Sequence, residues 1–316
     1  MMPRTKTFIL CLAALVATHV SADDRGRSLF LGLTEKIAGQ GAIRGITIAP
    51  HPGAIGVVAV VDEHNRVSVL FGEGKEWTIL RLEKPFAERP RVAFRDLNAD
   101  GVSELLVCEK QVEVYEIRKR ELVRVWSSDG DLFRSDLPPR IDVGDVDGDG
   151  SLDLVALNYK TKDEDPAHDN VHVFKRDASK DWEFDLVARK TLTDDAGFHS
   201  TGGLAVGNFV GDARSEIAVG NSNGYLWLLS WKDDGLQQLE RWKTPRGGAI
   251  GPALKAGNMD RDIENELLVG TNGGDIFVLE FDQQANAVRW IACEFRVLAN
   301  GGYEELALSL AGQRQV

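Results

Sequence analysis

Cysteine is scarce: three in 316 residues cannot staple a small secreted scaffold. Cys11 lies in an N-terminal apolar stretch. Cys108 and Cys293 belong to repeats too far apart for the roughly 7 Å that a disulfide allows, so both thiols are expected to be unpaired. No CxxC pair is present, which removes the usual zinc frameworks. HExxH and phosphate-cradling glycine patterns are missing too, so metalloprotease and nucleotide-dependent chemistry lack support. Of the six histidines, His19 falls in the N-terminal leader, His51, His64, His168 and His199 fall in loops, and His172 is read as pointing outward from a strand. Positive charge is short, with 37 Lys and Arg against 49 Asp and Glu and a net charge of −12. Nucleic-acid binding needs basic groups to neutralise phosphates, and anionic membranes need the same, so neither is an expected partner. Long apolar runs are absent after the first residues. Thr7 to Ala17 is apolar, follows Arg4 and Lys6, and leads to Val20-Ser21-Ala22. That is a signal-peptide pattern, too short to span a bilayer. Residues 1–22 are therefore expected to be cleaved after Ala22, with residues 23–316 exported, periplasmic or secreted, as one domain.

What the chain does have is a recurring acidic loop. Asp145-Val146-Asp147-Gly148-Asp149-Gly150-Ser151-Leu152-Asp153-Leu154 places side-chain oxygens at positions 1, 3, 5 and 9, with glycine at position 6. Alternate carboxylates on a tight turn can converge on one hard cation, and calcium takes six to eight oxygens. The Ser151 carbonyl, at position 7, could add another. An EF-hand would need a bidentate glutamate at position 12, where this chain has Ala156 inside an apolar strand.

The loop returns. Asp96, Asn98, Asp100 and Glu104 keep every oxygen, with Val102 at position 7 and Gly101 at position 6. Asn258, Asp260, Asp262 and Glu266 keep the oxygens, but Ile263 stands where glycine belongs, and a β-branched residue at positive φ would be strained. Asn208 to Ile217 loses the position-3 oxygen to Val210, which predicts the turn without the metal. Ile48 to Val58 keeps only an outline. Position 9 recurs at Glu104, Asp153, Glu216 and Glu266, at spacings of 49, 63 and 50 residues.

Each loop sits between two short apolar strands. A third, alternating strand follows (Val112 to Tyr115, Val171 to Phe174, Tyr225 to Leu228, Ile276 to Leu279), then a fourth carrying one tryptophan: Trp77, Trp126, Trp182, Trp242 and Trp290. Four strands per repeat of about 40–50 residues is the pattern of a β-propeller blade. Five blades are visible: Gly45–Glu83, Arg91–Ser127, Pro139–Leu192, Gly203–Trp242 and Ala253–Phe295. The length fits six, with seven as the alternative. Ser28 to Leu33 and Glu305 to Leu310 would share the last blade, because closing the ring removes open sheet edges. Lys160 to Asn170 is an acidic insertion between the second and third strands of blade three. The tryptophans, with Trp227 and Trp231, are read as packing between blades. Ser200 to Gly203 and Arg246 to Gly251 are glycine-rich leads into first strands, where a ligand site could form.

The D-x-[DN]-x-D-G-x-x-[DE]-L loops resemble FG-GAP/VCBS repeats, the calcium-loop blades of integrin α-subunit propellers and of many bacterial exported proteins. The resemblance covers about Gly45 to Phe295. It implies an all-β propeller with Ca2+ held between the two inner strands of a blade, by Asp145, Asp147, Asp149, Ser151 and Asp153 first. Asp96, Asn98, Asp100, Val102 and Glu104 come next, followed by Asn258, Asp260, Asp262 and Glu266. The expected function is an exported calcium-binding module for a protein partner, with no catalytic role. Extracellular glycan is the alternative ligand. A polysaccharide lyase or hydrolase would need a site assembled across blades.

Overall fold

The computed structural model describes residues 43–296 with interruptions, the longest being 159–170. The leader, both terminal strands proposed to share a blade, the acidic insertion, the outline loop after Ala49, Asp260 and Cys293 lie outside the described residues.

Every described element is a strand, and the strands form five antiparallel meanders. The first sheet is β1 (Ile43–Ala49), β2 (Gly56–Asp62), β3 (Val67–Glu73) and β4 (Glu76–Arg81). The second is β5 (Arg91–Arg95), β6 (Glu104–Cys108), β7 (Val112–Arg118) and β8 (Glu121–Ser127). The third is β9 (Arg140–Gly144), β10 (Asp153–Leu157), β11 (Val171–Arg176) and β12 (Phe184–Lys190). The fourth is β13 (Thr201–Gly207), β14 (Glu216–Asn221), β15 (Tyr225–Lys232) and β16 (Gly235–Lys243). The fifth is β17 (Ile250–Gly257), β18 (Glu266–Thr271), β19 (Asp275–Asp282), β20 (Ala287–Trp290) and β21 (Phe295–Arg296), the last two both pairing with β19. The chain divides after Ser127 into two compact units, one holding the first two sheets and the other the remaining three.

In the first unit, Val57, Ala59, Val61, Val67 and Val69 pack against Phe94, Leu105, Val107 and Tyr115 of the neighbouring sheet. In the second unit, one core joins Val155, Leu157, Val171 and Val173 to Val219, Trp227 and Leu229. A second core joins Leu226 and Leu228 to Val269, Phe277 and Leu279. The second strand of a sheet thus has apolar neighbours on both faces. Past the first, acidic residue of β6, β10 and β14 the sequence runs mainly apolar rather than alternating, and all of these three strands is buried.

Burial on both faces corrects the reading of His172. It does not point outward; it is 3% exposed, with its ring edge-on to Phe133 at 5.4 Å. Glu113, at the same place in the second sheet, is buried and satisfied by Gln111 Nε2, Arg124 Nη1 and the Tyr115 hydroxyl. Both are polar side chains on a strand that has no solvent face, and Glu113 shows how buried carboxylate oxygens are then satisfied.

The outer strands carry a shared irregularity. The pairing register slips between Val114 and Tyr115, between Val173 and Phe174, and between Leu228 and Leu229. Val125, Val187 and Leu239 are the extra residues, one per sheet. Such a bulge adds twist to an edge strand. Trp77, Trp126, Trp242 and Trp290 lie on outer strands as expected, but Trp182 does not. It precedes β12 at a φ of 52°, with the Arg176 guanidinium 5.3 Å from its ring.

Packing between blades also explains the glycines. A Cβ on Gly203 would stand 2.7 Å from the Gly251 carbonyl, so this glycine-rich lead serves close approach of β13 to β17. A Cβ on Gly144 would stand 2.5 Å from Val206 Cγ1 and 2.8 Å from Ser215. Gly144→Val should therefore destabilise by about 3 kcal/mol, read as a lower denaturant midpoint. An unchanged midpoint would mean that β9 and β13 stand further apart.

Candidate cation-binding loops

Each acidic loop joins the first and second strands of its sheet, and its own backbone N–H groups organise it. In blade three, Asp145 Oδ1 accepts from Gly148 N–H and Oδ2 from Gly150 N–H, both at 2.8 Å. Asp147 Oδ1 accepts from Asp149 N–H at 3.2 Å, and Asp149 Oδ1 from Ser151 N–H at 2.8 Å. Blade two repeats this. Asp96 takes the N–H groups of Asp100 and Gly101, and Asp100 Oδ1 takes that of Val102 at 2.7 Å. Asn98 Oδ1 accepts from Asp100 N–H, and its Nδ2 donates to Asp100 Oδ2 at 2.9 Å.

Position 9 behaves differently. Glu104, Asp153, Glu216 and Glu266 are all buried. One oxygen of the first three accepts from the position-2 N–H: Leu97 at 2.8 Å, Val146 at 3.0 Å and Phe209 at 2.9 Å. In these three blades this residue therefore closes the loop onto the core. Asp153, 1% exposed, keeps its Oδ1 buried with no hydrogen-bond partner, as Glu216 keeps its Oε1. Burial raises the Glu104, Asp153 and Glu216 carboxyls to about 7. Neighbouring loop carboxylates push the same way, and the position-2 N–H opposes them.

Glycine at position 6 has a φ of 84° at Gly101 and 86° at Gly150. A second left-handed position had no sequence signal: position 4 has a φ of 58° at Ala99, 83° at Gly148 and 73° at Gly211. The expected strain at Ile263 does not arise. Ile263 is not among the positive-φ residues and stands 68% exposed.

Blades four and five close the turn by another route. Asn208 Nδ2 donates to the Asp212 carbonyl at 2.7 Å, and Asn258 Nδ2 donates likewise to the Asp262 carbonyl. Position 1 there supplies a donor where blades two and three supply a second carboxylate oxygen. In blade four a guanidinium also occupies the site: Arg214 pairs with Asp212 at 2.7 Å and donates to the Trp231 carbonyl. A cavity of about 370 Å³ beside it is lined by Val210, Asp212, Arg214, Ser230, Leu239 and Phe281.

The loops of the second unit are also tied to each other. The position-8 N–H of Ser215 donates to the Asp145 carbonyl at 2.7 Å, and that of Asn265 to the Asn208 carbonyl at 2.6 Å.

The donor set fits calcium best in blade three. One oxygen from each of Asp145, Asp147 and Asp149 lies within 4.8 Å of the others. Ligands sharing an ion at about 2.3–2.6 Å stand no further apart than about 5 Å. All are hard oxygen donors, and the unpartnered Asp153 Oδ1 is a buried acceptor in the same loop. The structure also places a cation there that sequence reading missed. Lys175 Nζ on β11 bonds Asp147 Oδ2 and lies 2.9 Å from Asp149 Oδ2. Those hydrogen bonds push the lysine well above its usual range. Burial acts against the Asp149 carboxylate, yet Lys175 and Ser151 hold it below its own.

Repeated four-stranded meanders packed face to face define a β-propeller. Solved structures agree. Sqt1 from Chaetomium thermophilum, a propeller, matches with a TM-score of 0.52 and 15% identity, over 77% of this chain and 57% of that one. Sqt1 from Saccharomyces cerevisiae matches with a TM-score of 0.54 and 12% identity, over 80% and 62%. This chain covers less than two thirds of either protein. No protein-family model and no curated protein sequence matches it.

Proposed function

We propose that the chain is an exported β-propeller of FG-GAP/VCBS type that binds calcium in its blade-two and blade-three loops and serves as a non-enzymatic module for a protein partner. The observation that carries the calcium reading is the blade-three carboxylate triad with the unpartnered buried oxygen of Asp153 beside it. Blade two supports it by repeating the hydrogen-bond pattern. Asp145, Asp147, Asp149 and Asp153 would hold the ion in one loop, and Asp96, Asn98, Asp100 and Glu104 in the other, with the Ser151 and Val102 carbonyls at position 7. Bound calcium would offset repulsion among carboxylates already held close by the backbone.

A protein partner is favoured over a glycan because the aromatic rings are engaged in packing. Trp227 is fully buried, Trp231 lies against the same core, Trp242 meets Phe277 edge-on at 5.6 Å, and the Trp77 ring covers Gly72. These packing contacts favour a structural role for the rings over one as sugar platforms.

The test is a thermal melt in millimolar calcium and in excess chelator. Ligand at a hundred times its Kd adds about 2.7 kcal/mol per site, which for a domain of this size raises the melting temperature by about 5–10 °C. Asp147→Asn should reduce that rise. Identical melts with and without calcium would remove the cofactor from the reading and leave the propeller intact.

A further inference from the structure

The β-pairing sets the four loops in one frame. Position 10 of each loop pairs with Tyr115, Phe174, Leu229 or Leu279 on the third strand. The next residue on that strand is Glu116, Lys175, Ser230 or Glu280. Blade three alone has a cation at this register position, and its ammonium reaches two of the three carboxylates that converge there. Blade two has Glu116, which is paired with Arg118. Asp96 and Asp100 receive only N–H groups of their own loop, from backbone and from Asn98, among the described residues. Blade four meets its acid with Arg214 from within the loop. The repeats therefore share a backbone but differ in the cation that each brings to its own carboxylates.

We propose that Lys175 is a built-in competitor for the cation site of the blade-three loop, making that loop a weak, exchangeable calcium site and leaving the blade-two loop as the tight one. This rests on the calcium reading above. A divalent ion needs oxygens of Asp147 and Asp149, and the ammonium holds Oδ2 of each. Two cations sharing those oxygens would repel, so the ion enters only as Nζ leaves. The lysine side chain is 35% exposed on a flexible stem, which gives the ammonium a path to water. The blade-three loop thus exchanges a monovalent side chain for a divalent ion. At low calcium it remains neutralised in part by the chain itself. The order of strength is the reverse of what the loop sequences suggest, because the more complete acidic loop is the one facing a lysine.

The experiment is calorimetric titration of calcium into the full, calcium-stripped chain. Wild type should show two classes of site, and Asp100→Asn should remove the tighter. Lys175→Met should tighten the weaker class about tenfold, the size of one screened charge pair, whereas Lys175→Arg should keep wild-type affinities. In chelator, Lys175→Met should melt below wild type and recover in saturating calcium. Unchanged affinities in Lys175→Met would overturn the competition while leaving the calcium reading intact. Equal loss of melting temperature with and without calcium would overturn it too, making the lysine a strut. Binding in no variant would defeat the calcium reading and the competition together.

Discussion

Trp227→Ala is expected to destabilise by about 3–5 kcal/mol, the range for deleting a large buried aromatic, and to lower the melting temperature by about 10 °C or more. Trp227 is 1% exposed, and its neighbours come from two sheets: Leu157, Val171 and Val173 on one side, Val219 and Leu229 on the other. A void there cannot be filled by one strand moving, because β10 and β14 are each held by ladders on both edges. Trp227→Phe should recover a good part of the loss by keeping a ring in the same space. A melting point within a degree or two of wild type for the alanine variant would show that the sheets close over the gap.

The second large effect is on the pH profile in chelator. Glu104, Asp153 and Glu216 start from ordinary carboxyl values of 4.5, 3.8 and 4.5 and rise to about 7 in the folded chain. Between those limits the folded state binds more protons than the unfolded one, so stability must fall as pH rises. The penalty is absent below about pH 4, grows through pH 4–7, and is complete above that. Asp62, Asp149 and Asp212 shift downward, so their contributions change below this window and do not mask it. The calcium-free protein should therefore melt several degrees higher at pH 5 than at pH 7.5. Glu216→Gln, which removes one buried charge, should flatten the trend in part. A calcium-free melting point that rises from pH 5 to pH 7.5 would contradict the raised carboxyls.

The strand frame was legible because each repeat carries its signal locally. The apolar runs Glu104–Cys108 and Asp153–Leu157 are strands with those same ends. The ten-residue motifs that span each loop and enter the second strand announced themselves by their alternate oxygens. Tertiary facts were less visible. His172 looked outward because alternation implies a wet face, and an interior strand has none. Trp182 was placed on a strand by analogy with its counterparts, whereas the chain turns there with positive φ. The position-9 acids read as metal ligands, and their anchoring of the position-2 N–H had no signature beyond their constant spacing. Lys175 lies 22 residues beyond Asp153 in sequence, and only the pairing of β10 with β11 brings it into register with the loop. Aligning the third strands as Glu116, Lys175, Ser230 and Glu280 would have singled it out.

The hydrogen bonds from Ser215 to Asp145 and from Asn265 to Asn208 work as a ruler. Each measures a fixed distance from position 1 of one loop to position 8 of the next, so a residue gained or lost in a loop breaks the tie to its neighbour as well as its own turn. Positions 1 and 9 accordingly stand the same interval apart in all four copies, from Asp96 to Glu104, Asp145 to Asp153, Asn208 to Glu216 and Asn258 to Glu266. The connection from second to third strand is tied differently, with Thr244 N–H donating to the Gly224 carbonyl and Asn272 N–H to the Ala249 carbonyl. It runs from Cys108 to Val112 in one blade, from Asn221 to Tyr225 and from Thr271 to Asp275 in others, but from Leu157 to Val171 in blade three. Length is thus constant at the edge where loop is tied to loop and varies at the opposite edge, where blade three carries its extra residues without disturbing the metering at the first.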